Sequence, residues 1–189
     1  MELTKRLAAA DPSSASLQRD VSVSLNKVGD VLGAQGNLVE ALVRYQESLE
    51  IAKRLAFADP NSASLQRDVS VSLEQVANVL AKQGDLVGAR SRFLESLEIA
   101  KRLASADPSS AILQRDVSVC LNNVGDVLVA QGDLVGARSR FLESLELTKR
   151  LASADPSYAI LQRDVSVSLT KVGYVLEAQG DLGGARARY

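Results

Sequence analysis

Residues 17–64 read LQRDVSVSLNKVGDVLGAQGNLVEALVRYQESLEIAKRLAFADPNSAS, and this block of 48 residues returns with few changes at Leu65, Leu113 and Leu161. Self-similarity with a period of about 20–50 residues is typical of solenoids, in which each unit contacts its neighbours along one axis. The length of the chain therefore counts repeats rather than domains.

The two ends of the chain fall inside a block. Residues 1–16 match the end of a block, and Tyr189 is the counterpart of Tyr45. We interpret the chain as a piece of a longer array in a larger multidomain protein. We divide it as a single solenoid (1–189) into the end of a preceding repeat (1–16), full repeats (17–64, 65–112 and 113–160) and a truncated repeat (161–189).

The first half of a block has the apolar spacing of an amphipathic helix. Leu17, Val21, Leu25 and Val28 recur at intervals of three and four residues. The run from Val21 to Leu25 also alternates as a half-buried strand would, and its β-branched residues favour that state. We predict a helix, because the helical spacing continues on both sides of the run. Asp11-Pro12 and its counterparts are expected to cap and open this helix.

The second half of a block predicts another helix, from about Leu38 to Ala58. Gly36 is unvaried in the four blocks, which favours a left-handed residue that ends the first helix. Asn37 then caps the second helix, and Glu40 completes a reciprocal capping box. Two helices joined by so short a connection form an antiparallel hairpin.

Composition excludes several classes of function. The formal charge is −1, with 22 basic and 23 acidic residues, so no strong field attracts nucleic acid or an anionic membrane. Histidine is absent and Cys120 is the one cysteine, which excludes histidine catalysis, an intramolecular disulfide and a cysteine-rich metal site. No apolar run reaches the ~18 residues of a membrane span. We predict a cytoplasmic, non-enzymatic protein without cofactor or metal.

The block resembles the tetratricopeptide repeat. That pattern joins a large apolar residue, an apolar–small pair, another apolar residue, Gly-Asp/Asn, an alanine and an aromatic residue, and it covers nearly the whole chain. The blocks are also similar to long-period arrays in large bacterial proteins, where tryptophan often replaces Leu17. The matching positions are Leu25, Val28-Gly29, Leu32, Gly36-Asn37, Ala41, Tyr45; Leu73, Val76-Ala77, Leu80, Gly84-Asp85, Ala89, Phe93; Leu121, Val124-Gly125, Leu128, Gly132-Asp133, Ala137, Phe141; and Leu169, Val172-Gly173, Leu176, Gly180-Asp181, Ala185, Tyr189.

The resemblance implies a fold and a function. The fold is an all-α solenoid of antiparallel helix hairpins, wound as a right-handed superhelix. The function is that of a protein-interaction scaffold, with a peptide or helix of a partner in a concave groove lined by the first helices. The block is longer than the usual unit of about 34 residues. We expect the additional residues to lengthen both helices, and we note that Ser48, Ser96 and Ser144 stand where alanine is common.

The resemblance also implies which residues line the groove. They are those that follow the first large apolar position and the small position: Asn26, Asp30, Glu74, Asn78, Asn122, Asp126, Thr170 and Tyr174. Side-chain amides can hold the backbone of an extended peptide, and carboxylates favour a partner with lysine or arginine. Tyr174 replaces an Asp or Asn of the other blocks, so we expect it to be a main contact.

One position in the first helix requires only a small side chain. Gly29, Gly125 and Gly173 are replaced by Ala77 in the second block, so a left-handed backbone is not required there. We therefore predict that Gly125→Ala is neutral or stabilising, whereas Gly125→Leu costs about 1–3 kcal/mol by overpacking.

Two alternatives to the scaffold remain open. Uncapped solenoid ends expose apolar surface, so the chain could stack head to tail as a structural element, with residues 1–10 continuing the helix that stops at Tyr189. An enzyme is the third hypothesis, and the missing catalytic residue types disfavour it.

Overall fold

The protein is built from helical hairpins. The computed structural model describes residues 14–189, together with Arg6 and Asp11. These residues form helices and no strand, which confirms the all-α prediction and the helix across Val21–Leu25. The helices are α1 (Ala15–Ala34), α2 (Leu38–Ala58), α3 (Ala63–Lys82), α4 (Leu86–Ala106), α5 (Ala111–Ala130), α6 (Leu134–Ala154), α7 (Ala159–Ala178) and α8 (Leu182–Arg186).

The helices divide into two compact units between Ile99 and Ala100, a division that falls within α4. In the first unit α1 contacts α2, and α2 contacts α3. In the second unit α5 contacts α6, α6 contacts α7, and α7 contacts α8. Within each unit these helices pack on their neighbours in sequence, as expected of antiparallel hairpins with short connections. None of the described helices is both long and apolar enough to cross a membrane.

The turn inside each hairpin depends on glycine. Gly36 has a φ of +80°, and the N–H of Asn37 donates to the Leu32 carbonyl at 2.9 Å. This closes α1 with a left-handed residue, as the sequence predicts. The Asn37 side chain accepts from the Glu40 N–H at 3.3 Å and caps α2. The predicted capping box is wrong, because the Asn37 N–H that Glu40 would have to reach is already donated to Leu32.

The prediction that Asp-Pro begins the first helix of a block is also wrong. Ser62 is the N-cap of α3, and its Oγ accepts from the Leu65 N–H at 3.4 Å. Asp59 instead ends α2, and its carbonyl accepts from the Ser62 N–H at 3.2 Å. Proline at the second position of such a turn fixes the φ that the turn requires. Ser14 and Ser110 cap α1 and α5 in the same way.

The core of the first unit lies between α2 and α3. Tyr45 and Leu49 of α2 are buried with Leu73 and Val76 of α3, together with alanines that allow close approach. A smaller cluster joins Val21 and Leu25 of α1 to α2. These are the positions that the apolar spacing predicts to face inward.

The small position of the first helix contacts the aromatic ring of the second. A Cβ added at Gly29 would lie 2.6 Å from Cε1 of Tyr45, and one added at Gly125 would overlap the Phe141 ring. The requirement for a small residue is therefore confirmed, and its cause is the ring. For Gly125→Ala the structure favours destabilisation over the neutral or stabilising effect that the sequence predicts, because Phe141 is only 1% exposed and would have to move.

A seam of buried hydroxyl groups joins the helices of each unit. Ser48 is fully buried, and its Oγ donates to the Ser22 carbonyl at 3.0 Å and lies 2.7 Å from Ser22 Oγ. In the second unit the Oγ of Ser144 donates to the Ser118 carbonyl at 3.1 Å. This explains serine in place of the usual alanine, since each buried hydroxyl has a partner.

Candidate functional site

Successive first helices enclose the same small pocket in each unit. In the first unit it lies between α1 and α3, measures about 220 Å³ and includes Asn26, Asp30 and Asp68. In the second unit it lies between α5 and α7 and measures about 210 Å³. Its lining contains the residues 96 positions further along the chain, Asn122, Asp126 and Asp164. Corresponding residues two blocks apart therefore form a similar pocket in each unit.

Each pocket contains an amide oxygen without a partner. The Oδ1 atoms of Asn26 and Asn122 are buried and accept no hydrogen bond from the described residues. Leaving a buried polar atom unpaired costs about 1–3 kcal/mol. The unpaired oxygen occurs at the same position in both pockets. A ligand that donates a hydrogen bond to it would remove this cost.

An ion pair closes one side of each pocket. The Arg19 guanidinium donates to both oxygens of Asp68, with Nε–Oδ2 at 2.5 Å and Nη2–Oδ1 at 3.1 Å. Arg115 and Asp164 repeat this geometry at 2.5 and 3.2 Å. The hydrogen bond to Asp164 raises the pKa of Arg115 above its ordinary value, although burial opposes this. These bidentate pairs hold successive first helices in register and fix the orientation of Asp68 and Asp164.

The acidic residue at the other side of the pocket differs between the units. Asp30 accepts a hydrogen bond from the Tyr45 hydroxyl at 2.9 Å. Burial, followed by this bond, raises the pKa of Tyr45 above its ordinary value. Asp126 instead receives Lys171, whose Nζ lies 2.6 and 2.7 Å from its two oxygens and 5.5 Å from the centroid of the Phe141 ring. The first pocket has Gln75 at the position of Lys171, and its own lysine, Lys27, lies 3.7 Å from Asp30 on the same helix.

The remaining predicted residues lie outside both pockets. Glu74 is half-buried, and its carboxylate accepts from Ser96 Oγ at 3.0 Å. Asn78 is exposed on α3. Thr170 is exposed and donates to the Ser166 carbonyl of its own helix at 3.0 Å. Tyr174 is 56% exposed on α7.

Sequence reasoning missed the ion pairs and Lys171. The signal for Arg19 and Asp68 was present, because the run Leu-Gln-Arg-Asp is unvaried in the four blocks although its polar residues lie near the start of a helix. Lys171 had no such signal, since its position holds lysine, glutamine, asparagine and lysine in the successive blocks. A contact that exists in one unit cannot be inferred from what the blocks share.

The chemistry of the pockets is that of binding. Carboxylates, an amide and basic side chains can orient a polar group by hydrogen bonds and charge. The described residues include no group of three or more histidine, cysteine or acidic side chains placed to hold a metal ion. Cys120 is buried and forms no disulfide, as expected of a small apolar side chain.

Comparison with known proteins identifies the fold and the family. RapI in its apo form superposes with a TM-score of 0.70 at 17% identity over 97% of this chain, which spans 58% of the length of RapI. BtubC from P. vanneervenii superposes with a TM-score of 0.59 at 17% identity, covering 99% of this chain and 83% of that protein. No curated protein matches the chain in sequence.

The family model of the tetratricopeptide repeat matches residues 21–56, 69–109 and 117–157, each of which contains most of a predicted hairpin. Repeats of this kind serve generally as protein-interaction scaffolds. The matched segments make up more than half of the sequence, and the chain belongs to the tetratricopeptide repeat family.

Proposed function

We propose that the chain is a protein-interaction scaffold that holds a peptide or helical segment of a partner along its first helices. The observation that carries this proposal is the pair of matching pockets, each with an asparagine whose buried Oδ1 has no partner. Each pocket contains two of the residues that the family resemblance assigns to the groove, Asn26 and Asp30 in one and Asn122 and Asp126 in the other.

The chemistry of the pockets favours a partner that donates hydrogen bonds. The free amide oxygen of Asn26 can accept from a backbone N–H, and Asp30 adds a carboxylate at the same pocket. A peptide with a lysine or arginine near that N–H would satisfy both groups. In the second unit, Tyr174, with its exposed ring on α7, would add apolar contact to a segment bound at Asn122.

The test is a selection of peptides followed by substitution of the pocket residues. A phage library of random 12-residue peptides is selected on the chain, and the affinity of each enriched peptide is measured by fluorescence anisotropy. Asn26→Ala and Asn122→Ala are each expected to weaken binding about three- to tenfold, since each removes one hydrogen bond. Tyr174→Ala should weaken it further. Arg138→Ala, exposed on α6 outside both pockets, is the control.

The proposal fails if the enriched peptides bind all three variants as tightly as the wild type. Circular dichroism of each variant separates loss of binding from loss of folding. Peptides that lose affinity only with Tyr174→Ala would place the binding surface on α7 and outside the pockets.

Head-to-tail stacking is the alternative function. Leu182 and Tyr189 are 67% and 68% exposed in the last repeat, which provides apolar surface for a neighbour. The other half of the predicted junction, residues 1–10, lies outside the described residues apart from Arg6. Light scattering between about 10 µM and 1 mM should then show growing oligomers that Leu182→Asp dissolves. A strictly monomeric species at every concentration would contradict stacking.

A further inference from the structure

A second, larger groove lies at the Asp-Pro end of the hairpins in the second unit. It measures about 990 Å³ and is lined by the last turns of α4 and α6 and the first turns of α5 and α7. Its floor is apolar and includes Val117, Leu151 and Leu161, which are all buried. None of its residues lines the pockets between successive first helices. The volume is that of a site for a drug-sized molecule or a few peptide residues.

Tyr158 forms part of this groove and replaces the serine that caps the other first helices. It occupies the N-cap position of α7 with φ and ψ of −84° and 98°, close to the −74° and 104° of Ser110 at the start of α5. Serine at this position caps α1, α3 and α5, whereas Tyr158 makes no side-chain cap hydrogen bond, and the Leu161 N–H donates to the Tyr158 carbonyl at 3.0 Å. A backbone bond thus replaces the side-chain cap, and an aromatic ring that is 48% exposed stands where the other blocks have a hydroxyl.

Arg150 carries the basic charge of the groove that no ion pair in the described part of the chain neutralises. Lys101 and Arg150 lie at its edge with one carboxylate, Asp155. Asp155 already accepts from the Ser157 N–H at 3.2 Å and Ser157 Oγ at 2.7 Å. Lys101 is paired with Glu143 at 2.9 Å, but Arg150 makes no ion pair with any described residue. An uncompensated guanidinium beside an aromatic ring and an apolar floor favours an acidic, apolar ligand.

We propose that this groove is a second binding site of the chain, and that it holds a short segment of a partner with apolar side chains and an adjacent Asp or Glu. The apolar side chains lie on the floor formed by Val117, Leu151 and Leu161, against the Tyr158 ring. The carboxylate pairs with Arg150. The site is independent of the proposed groove along the first helices, since the two share no residue.

Tyr158→Ser provides a test in which stability and binding change in opposite directions. The substitution restores the serine cap of the other blocks, so the melting temperature should rise by about 2–6 °C. The same change removes the ring and should weaken ligand binding about tenfold or more. Tyr158→Phe keeps the ring without restoring the cap, so it should bind as the wild type does. Arg150→Glu should abolish binding of acidic peptides.

The probe is a phage library of random 12-residue peptides, selected on the wild type and counter-selected on Tyr158→Ser. Enriched peptides that combine apolar with acidic residues, and that lose affinity with Arg150→Glu, support the site. The inference is overturned if no peptide survives the counter-selection, or if the survivors carry no acidic residue and bind Arg150→Glu unchanged. Asn26→Ala and Asn122→Ala should leave these peptides unaffected, which distinguishes the site from the pockets between first helices.

Discussion

At the scale of single residues, the side chain at position 125 is limited by the ring of Phe141. We expect Gly125→Ala to lower the free energy of unfolding by about 1–2 kcal/mol, because the cost of displacing a buried ring exceeds the gain in helix propensity. Urea denaturation of both proteins measures the difference.

The second block provides the control for this substitution. Ala77 occupies the corresponding position there and is fully buried, and Phe93 is the counterpart of Phe141. Ala77→Gly should therefore also destabilise, by about 1–2 kcal/mol, since it removes a buried methyl group and adds backbone freedom. If Gly125→Ala is as stable as the wild type, the Phe141 ring can move without cost to make room for alanine, and the expected destabilisation is contradicted.

Tyr45 predicts a specific behaviour at high pH. Burial and the bond to Asp30 raise the pKa of its hydroxyl, so the folded protein keeps the proton where the unfolded chain would lose it. The stability that this contributes is complete below about pH 10 and declines as the pH rises towards the folded pKa. In a pH titration followed by phenolic absorbance, Tyr45→Phe should lack the ionisation step that the wild type shows at the highest pH.

Asp30→Asn is the companion variant for that titration. It removes the charged acceptor of the Tyr45 hydroxyl, so the Tyr45 ionisation should move to a lower pH. A titration curve that Asp30→Asn leaves unchanged would contradict the environment assigned to Tyr45.

The family resemblance could indicate some residues of the candidate site, because it assigns the groove to positions with a fixed relation to the apolar residues of the pattern. Asn26 and Asp30 were placed in one groove by that relation, and the structure brings them into one pocket. Glu74 was placed by the same rule, yet its longer side chain reaches the buried Ser96. Register along a helix predicts the side of the helix but not the reach of the side chain.

At the scale of the helices, the buried hydroxyl seam predicts coupling that differs between the units. Ser22 Oγ lies 2.7 Å from Ser48 Oγ, whereas Ser118 Oγ turns to the Arg115 carbonyl of its own helix at 2.8 Å. A double-mutant cycle with alanine at Ser22 and Ser48 should give a coupling energy of about 0.5–1.5 kcal/mol.

The same cycle at Ser118 and Ser144 should give a coupling energy close to zero. The Ser144 hydroxyl donates to the backbone carbonyl of Ser118, which remains when Ser118 is replaced by alanine. Free energies of unfolding from urea titrations provide both cycles. Equal coupling in the two units would mean that the hydroxyl of Ser118 takes part in the seam after all.

The ends of the helices show what a local sequence signal can determine. Gly36 and Asn37 predicted the turn inside the hairpin correctly, because a left-handed residue and an N-cap each have one strong chemical preference. The start of the first helix was predicted too early. Asp59-Pro60 can open a helix or a turn, and Ser62 provides a cap for a helix that starts after the turn. The choice depends on where the preceding helix ends.

At the scale of the whole molecule, the helices should differ in how readily they open. Helix α8 has five residues, and Ala185 is its one buried residue. The Ala185 N–H donates to the Asp181 carbonyl at 2.9 Å, as the Ala41 N–H donates to Asn37 at 3.0 Å in α2. We expect the amide of Ala185 to exchange with deuterium at least about a hundredfold faster, because α8 lacks the packing that holds α2.

Hydrogen exchange followed by NMR compares the two amides under the same conditions. Their hydrogen bonds and helix positions match, so any difference reports the cooperative stability around them. Equal protection would show that α8 is held as firmly as a helix of 21 residues such as α2.

The likeness of the blocks leaves an unfolded chain with several acceptable partners for each helix. The run Leu-Gln-Arg-Asp-Val-Ser-Val starts every first helix, so a second helix finds the same apolar stripe in its own block, in another block and in another molecule. The connection of three residues at Gly36 favours the local partner, because closing a short loop costs the least entropy. The connections between blocks are also alike, so loop entropy does not favour one neighbouring block over the same block in another molecule. Refolding at high protein concentration should therefore yield dimers that have exchanged whole hairpins through the turn at Asp59–Ser62.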